Sequence, residues 1–138
     1  MPNFHGSFVG KVSSQAMTTV TDVSNHDLSL VQISGPQTVS DPLWKDAIVS
    51  YYGMADLVSG NGTQTGYFVN QHPDGDTDHG TFHAKITTAA NGVTLEGTWE
   101  HTGGTGKFAK LTGKGTYKGV MTSPTEVKTD WKGAYHLG

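Results

Sequence analysis

Apolar and polar residues alternate with a period of two along most of this chain, which is the signature of strands with one face buried. Phe4, Gly6, Phe8, Gly10 and Val12 share one parity, and His5, Ser7 and Lys11 share the other, with Val9 as the exception. A shorter strand is expected over residues 17–22 and another over 28–33, with Asn25 and Asp27 supplying turn chemistry between them. Residues 34–46 break the rhythm with Gly35-Pro36 and Asp41-Pro42. They read as a long loop with a helical turn that lays Trp44 over an opening or a neighbour. Alternation resumes over 46–59, where Ala47, Val49 and Tyr51 lie on one side and Ile48, Tyr52 and Met54 on the other. Both sides are apolar, so both faces are expected to be buried.

Hairpin signals punctuate the rest. Ser59-Gly60-Asn61-Gly62 and Asn91-Gly92 contain the residues that tolerate the positive φ of tight hairpin turns, and Pro73-Asp74-Gly75-Asp76 is a further turn. Strands are expected over 63–72, 78–88, 93–101, 112–122 and 125–137. The clearest is 93–101, with Trp99 inside and Glu96 and Glu100 outside by polarity. A helical turn is expected near 106–110. About eight strands joined mostly by short turns indicate a sandwich or a barrel. Glycines recur on the inward parity, at Gly6, Gly10, Gly53, Gly66, Gly80, Gly97, Gly115, Gly119 and Gly133. Such glycines mark bends and close approaches, which a small closed barrel needs. The expected fold is all-β: one closed antiparallel barrel spanning residues 1–138 as a single domain.

Composition narrows the partners. Only 15% of the 138 residues are charged, the net charge is -3, and all nine basic residues are Lys. Bidentate clamps on phosphate and carboxylate are made mainly by Arg, so nucleic acid is not an expected partner and phosphorylated substrates are disfavoured. The chain has no Cys, which removes disulfides, thiolate catalysis and Cys-ligated metals. The N-terminus alternates where a leader would run basic then apolar, and no apolar stretch approaches the ~20 residues of a membrane span. A cytoplasmic location and no membrane contact are the expectations.

The stretch from Gly97 to Gly119 reads GTWEHTGGTGKFAKLTGKGTYKG. It resembles the allene oxide cyclase and dirigent superfamily of small calycin-like barrels, which share a strand, then T-G-G-[ST]-G-x-F, a short turn, a Gly and a following strand. The pattern falls on Thr102, Gly103, Gly104, Thr105, Gly106 and Phe108, with Gly113 or Gly115 after it. The hairpin over 66–88 shares the family's rhythm. The resemblance implies an eight-stranded barrel, often oligomeric, with a hydrophobic lumen in which reactive intermediates cyclise or couple without a cofactor. The motif itself reads as structural, with Phe108 folded back as a plug on the barrel end. The family's catalytic residues do not align here, and a Cys that lines the plant enzyme's cavity has no counterpart, so the plant substrate is not implied.

Candidate chemistry lies in three places. His101 follows Trp99 on the inward parity at a strand end, where it could serve as an acid or base. Tyr51, Tyr117 and Tyr135 share parity with inward positions, and their hydroxyls need partners, for which Asn70, Gln64 and Gln32 are candidates. Glu100 becomes a lumen base if its strand is turned inside out, since a one-residue shift exchanges the faces. Trp99, Phe82, Phe68, Asn70, Tyr135 and Trp44 are the candidate substrate contacts. His72, Asp74, Asp76, Asp78, His79 and His83 crowd one hairpin, where turn chemistry is the leading reading and a metal a minor one. His79 and His83 lie ~13 Å apart along a strand, too far to grip one ion. No metal and no cofactor are expected. His5, His26 and His136 fall on outward or turn positions.

Together these features suggest cofactor-independent isomerase, cyclase or lyase chemistry on a small, largely apolar molecule in the lumen. A non-catalytic carrier with the same interior is the alternative. A third reading is an oligomeric interaction module, a dimer or trimer, built on the two-sided strand over 46–59.

Overall fold

The computed structural model describes residues 2–138. Eight strands close into one antiparallel barrel in simple sequence order: β1 (Asn3–Val20), β2 (His26–Val39), β3 (Ile48–Val58), β4 (Asn61–Gln71), β5 (Thr77–Ala89), β6 (Gly92–Gly104), β7 (Thr112–Ser123) and β8 (Glu126–His136), with β8 returning to β1. Two 3-10 turns, Pro42–Trp44 and Gly106–Phe108, are the only helical segments among the described residues. None of these is long and apolar enough to cross a membrane as a helix.

Two strands differ from the sequence reading. The segment over 4–12 and that over 17–22 as far as Val20 belong to one strand of 18 residues, bent by a register shift between Val12 and Ser14 in its pairing with β2. The shift reverses which parity faces inward, which is why the alternation looks interrupted. The expected loop over 34–46 is strand as far as Val39. Pro36 lies in the last pair that β2 makes with β3, opposite Ile48, so its missing N–H falls where that ladder ends. Gly35 has a different role: a Cβ there would collide with the Val9 backbone, so its small size lets β1 pass close by.

The barrel interior is built in tiers that mix glycine with large rings. One tier runs Gly53, Gly66, Phe82, Trp99, Gly115, Gly133 and Phe4 on neighbouring strands. Cβ atoms on Gly115 and Gly133 would each lie 2.5 Å from Cζ2 of Trp99, so the indole occupies the room these residues leave. The tier above holds Tyr51, Phe68, Gly80, His101, Gly113 and Tyr135, and the tier below holds Ala55, Gln64, Ala84, Gly97, Tyr117 and Trp131.

The two outer flanks differ. Across β5 to β8, Lys85, Glu96, Lys118 and Asp130 form an alternating cross-strand row. On β2 to β4, Leu30 faces Met54 and Tyr52 faces Tyr67, and these four and Ile48 are exposed. The expectation that both faces of the strand over 46–59 are buried therefore fails for this chain alone. The outward row of β3 meets solvent because no layer packs outside a single barrel.

Candidate functional site

One barrel end is plugged by the two 3-10 turns. Asp41 caps the first, accepting from the Leu43 amide at 2.9 Å, and also accepts from the Tyr135 hydroxyl at 2.5 Å. This turn drives Trp44 into the end of the barrel, 1% exposed. The glycine-rich segment after β6 makes the second turn and buries Phe108 completely, its ring 5.3 Å from that of Trp44 and 4.5 Å from that of His72. Lys107 ties this turn to the β4–β5 turn through Asp74 at 2.7 Å and Asp76 at 3.2 Å. The acidic hairpin residues are thus engaged with a lysine and with turn amides. Among the described residues, no group of three or more His, Asp and Glu is arranged to hold a metal ion.

Beneath the plug lies a buried charge. Asp78 is fully covered, and four nitrogens surround its carboxylate. Oδ2 accepts from His72 Nε2 at 2.7 Å and Trp44 Nε1 at 3.0 Å, and Oδ1 accepts from Asn70 Nδ2 at 2.9 Å. His101 Nε2 lies 3.1 Å from Oδ1, the longest of the four contacts. Burial pushes the carboxyl pKa up, but hydrogen bonding from His101, His72 and Asn70 outweighs it and holds the group at about 2. Asp78 is therefore a carboxylate. A carboxylate beside His101 Nε2 favours the tautomer protonated at that nitrogen, with the lone pair on Nδ1.

His101 lines a cavity of about 80 Å³, and a Cβ on Gly113 would sit 3.1 Å from its Nδ1. Around the cavity stand the rings of Phe4, Phe8, Trp44, Tyr51, Phe68, Phe82, Trp99, Tyr117 and Trp131. An engineered apolar cavity of ~150 Å³ accepts benzene, so this one suits a molecule of only a few heavy atoms unless a ring moves. Among the described residues, three buried side-chain polar atoms have no partner: His101 Nδ1, Gln64 Oε1 and the Tyr117 hydroxyl. All three residues line this cavity. Burial raises the pKa of both Tyr117 and Tyr51, the latter also through its neighbour Tyr117, so both remain protonated.

The candidate residues divide cleanly. His101, Tyr51, Tyr117, Trp99, Phe82, Phe68, Asn70 and Trp44 converge on the lumen. Tyr135 is buried above it, held by Asp41, and burial together with that carboxylate pushes its hydroxyl pKa up to about 12. Glu100 is the exception: it is exposed on the outer face opposite Lys114, because β6 keeps Trp99 and His101 inside. Gln32 also falls on the outer parity, since its neighbour Ile33 is buried. Asn70 serves Asp78 and Gln37, not a tyrosine. Sequence reasoning missed Asp78 and the role of His72. Their signal is parity, since Asp78 alternates with Gly80, Phe82, Ala84 and Ile86, all of them buried. No protein-family model matches this chain, and no curated protein matches it.

Proposed function

We propose that this barrel is a cofactor-independent isomerase, cyclase or lyase acting on a small, largely apolar molecule held in the lumen. The observation that carries the reading is the pair Asp78–His101, with an unpartnered imidazole nitrogen on a residue that lines an aromatic cavity. A carboxylate behind one ring nitrogen orients the imidazole and leaves the other nitrogen to take and return a proton. The apolar body of the molecule lies among Phe68, Phe82 and Trp99, and His101 Nδ1 removes a proton from it and returns that proton elsewhere. No electrons are lost or gained overall, so the reaction needs no redox partner. The likeness of the 97–119 segment to allene oxide cyclase and dirigent barrels supports the same reading.

The test is native mass spectrometry of the protein purified from its host, followed by incubation of the retained molecule in D2O. Wild type should incorporate deuterium at carbon, and His101→Gln should bind the molecule yet exchange it ~100-fold or more slowly. Binding by both proteins with exchange by neither would make this barrel a carrier. Protein that emerges at its sequence mass and binds no small apolar molecule added back would overturn both.

A second reading concerns assembly. The outer flank of β2 to β4 carries exposed Leu30, Ile48, Tyr52, Met54 and Tyr67, while the opposite flank is charged. A second copy of this chain is the proposed cover, since an exposed apolar face of this kind is suited to burial against its own like. Sedimentation of Tyr67→Lys should then show a loss of the oligomer that wild type forms.

A further inference from the structure

The three unpartnered lumen atoms carry information about the head group of the ligand. This inference rests on the lumen being the binding site, as proposed above. Gln64 Oε1 can only accept a hydrogen bond. The Tyr117 hydroxyl can donate one and also accept. Both sit in the same tier, Gln64 on β4 and Tyr117 on β7, with Ala84 and Gly97 between them on β5 and β6. His101 lies two tiers away, at the plugged end. The Gln64 side chain is 5% exposed, so an unmet acceptor there is costly.

Charge points the same way. All nine lysines are exposed, so no lysine reaches the lumen to receive an anion. The interior charge is negative, on Asp78. The walls are aromatic faces, which attract a cation and gain strength when water is excluded. A carboxylate in this chamber would find no lysine or arginine among lining groups that include aromatic rings, the Gln64 amide and the hydroxyls of Tyr117 and Thr129. An alcohol would satisfy one acceptor with its single O–H. An ammonium group offers three N–H donors and a charge that the rings favour.

We propose that the lumen takes a small apolar amine, bound as its ammonium ion with an N–H donated to Gln64 Oε1 and another to the Tyr117 oxygen.

Three probes share one carbon skeleton and differ only in the head: isobutylamine, isobutanol and isobutyrate. Their binding at pH 7.5 is read from the fluorescence of the lumen tryptophans Trp44, Trp99 and Trp131 and checked by NMR titration. The amine should bind at least tenfold more tightly than the carboxylate, with the alcohol between them. Gln64→Leu should cost the amine about tenfold and leave the alcohol weaker by less. This variant removes an unmet acceptor, so it should stay folded, and circular dichroism checks that. If the carboxylate binds as well as the amine, or all three bind equally, the amine assignment is wrong while the lumen remains a binding site. If none binds at tens of millimolar, the lumen reading fails as well.

Discussion

Two polar regions share the interior of this barrel, Asp78 lying three tiers from Gln64, and they are treated in opposite ways. Around Asp78, four nitrogens from four different elements converge on one carboxylate. Gln64 and Tyr117 line the cavity, and a polar atom of each has no partner among the described residues. The low dielectric is common to both, so the penalty for an unmatched group applies equally. A group that is matched holds the fold together. A group left unmatched subtracts from stability, by ~1–3 kcal/mol for each one buried, and that loss is retained where binding needs it.

Removing Asp78 should give the largest effect. Asp78→Ala strands the donors of His72, Trp44, Asn70 and His101, and breaking a buried ionic cluster from one side costs about 3–5 kcal/mol. Urea unfolding checks this, and a loss below ~1 kcal/mol would mean that the network contributes little. The same residue sets the acid limb of stability. Its folded pKa is about 2, below the ordinary carboxyl value of roughly 3.9. A depressed carboxyl contributes stability that is fully present above the unfolded value and is lost as pH falls through the folded one. Wild type should therefore lose roughly 2–3 kcal/mol from this group between about pH 4 and pH 2, and Asp78→Asn should not show that limb.

The plug offers a middle case. The Tyr135 hydroxyl donates to Asp41 at 2.5 Å in a partly buried setting, and Asp41 also caps the turn that carries Trp44. Tyr135→Phe should cost about 1–2 kcal/mol, less than a fully buried charged hydrogen bond because Asp41 keeps its turn amide. It should also loosen Trp44, seen as a red shift in tryptophan emission. An unchanged spectrum would show that aromatic packing holds Trp44 without Asp41.

The lumen should respond with the opposite sign. Tyr117→Phe and Gln64→Leu each remove a polar atom that has no partner, so each should raise stability by about 1 kcal/mol or leave it unchanged. Both should weaken ligand binding. If either variant is destabilised by 2 kcal/mol or more, its polar atom is matched in solution and the contrast between the two regions is lost.

Much of this was legible in the chain because strand periodicity is local. Alternation places Trp99, Phe82 and Tyr117 inside, and the run from Thr102 to Phe108 announces both a sharp turn and a plug. What the alternation cannot show is where its parity is reset. The shift between Val12 and Ser14 makes one strand look like two. Asp78 is hidden for another reason. The Asp74-Gly75-Asp76 turn precedes it with the same residue type, and turn chemistry explains Asp well enough to stop the search. Its partners come from 34 residues before it and 23 after it (Trp44 and His101), which no local window joins. Three unmatched atoms on residues that line one cavity are likewise a property of closure, invisible until β8 meets β1.

The smallest effect is expected at the far rim, where a matched group sits in water. His26 donates from Nδ1 to Asp22 and from Nε2 to Asp56, both at 2.6 Å, which requires the protonated ring. Hydrogen bonds to Asp22 and then Asp56 raise its pKa, and the bond from His26 lowers that of Asp22. The two shifts have different signs in stability. The His26 contribution is complete below the ordinary histidine value of about 6.5 and is lost as pH rises through its raised folded value. The Asp22 contribution is present above roughly pH 3.9 and is lost as pH falls. The tie between the β1–β2 turn and β3 should thus be firmest between about pH 4 and 6.5 and should loosen above that window. The Ser59 amide, bonded to the Asn25 carbonyl at 2.8 Å, reports on this tie. Its hydrogen-exchange protection factor should fall as pH rises past neutrality, while amides of β5 and β6 hold theirs. In His26→Gln the fall should vanish, because glutamine carries no charge to lose. A Ser59 protection factor that stays flat in wild type would show that the two exposed carboxylates bind water as readily as they bind His26.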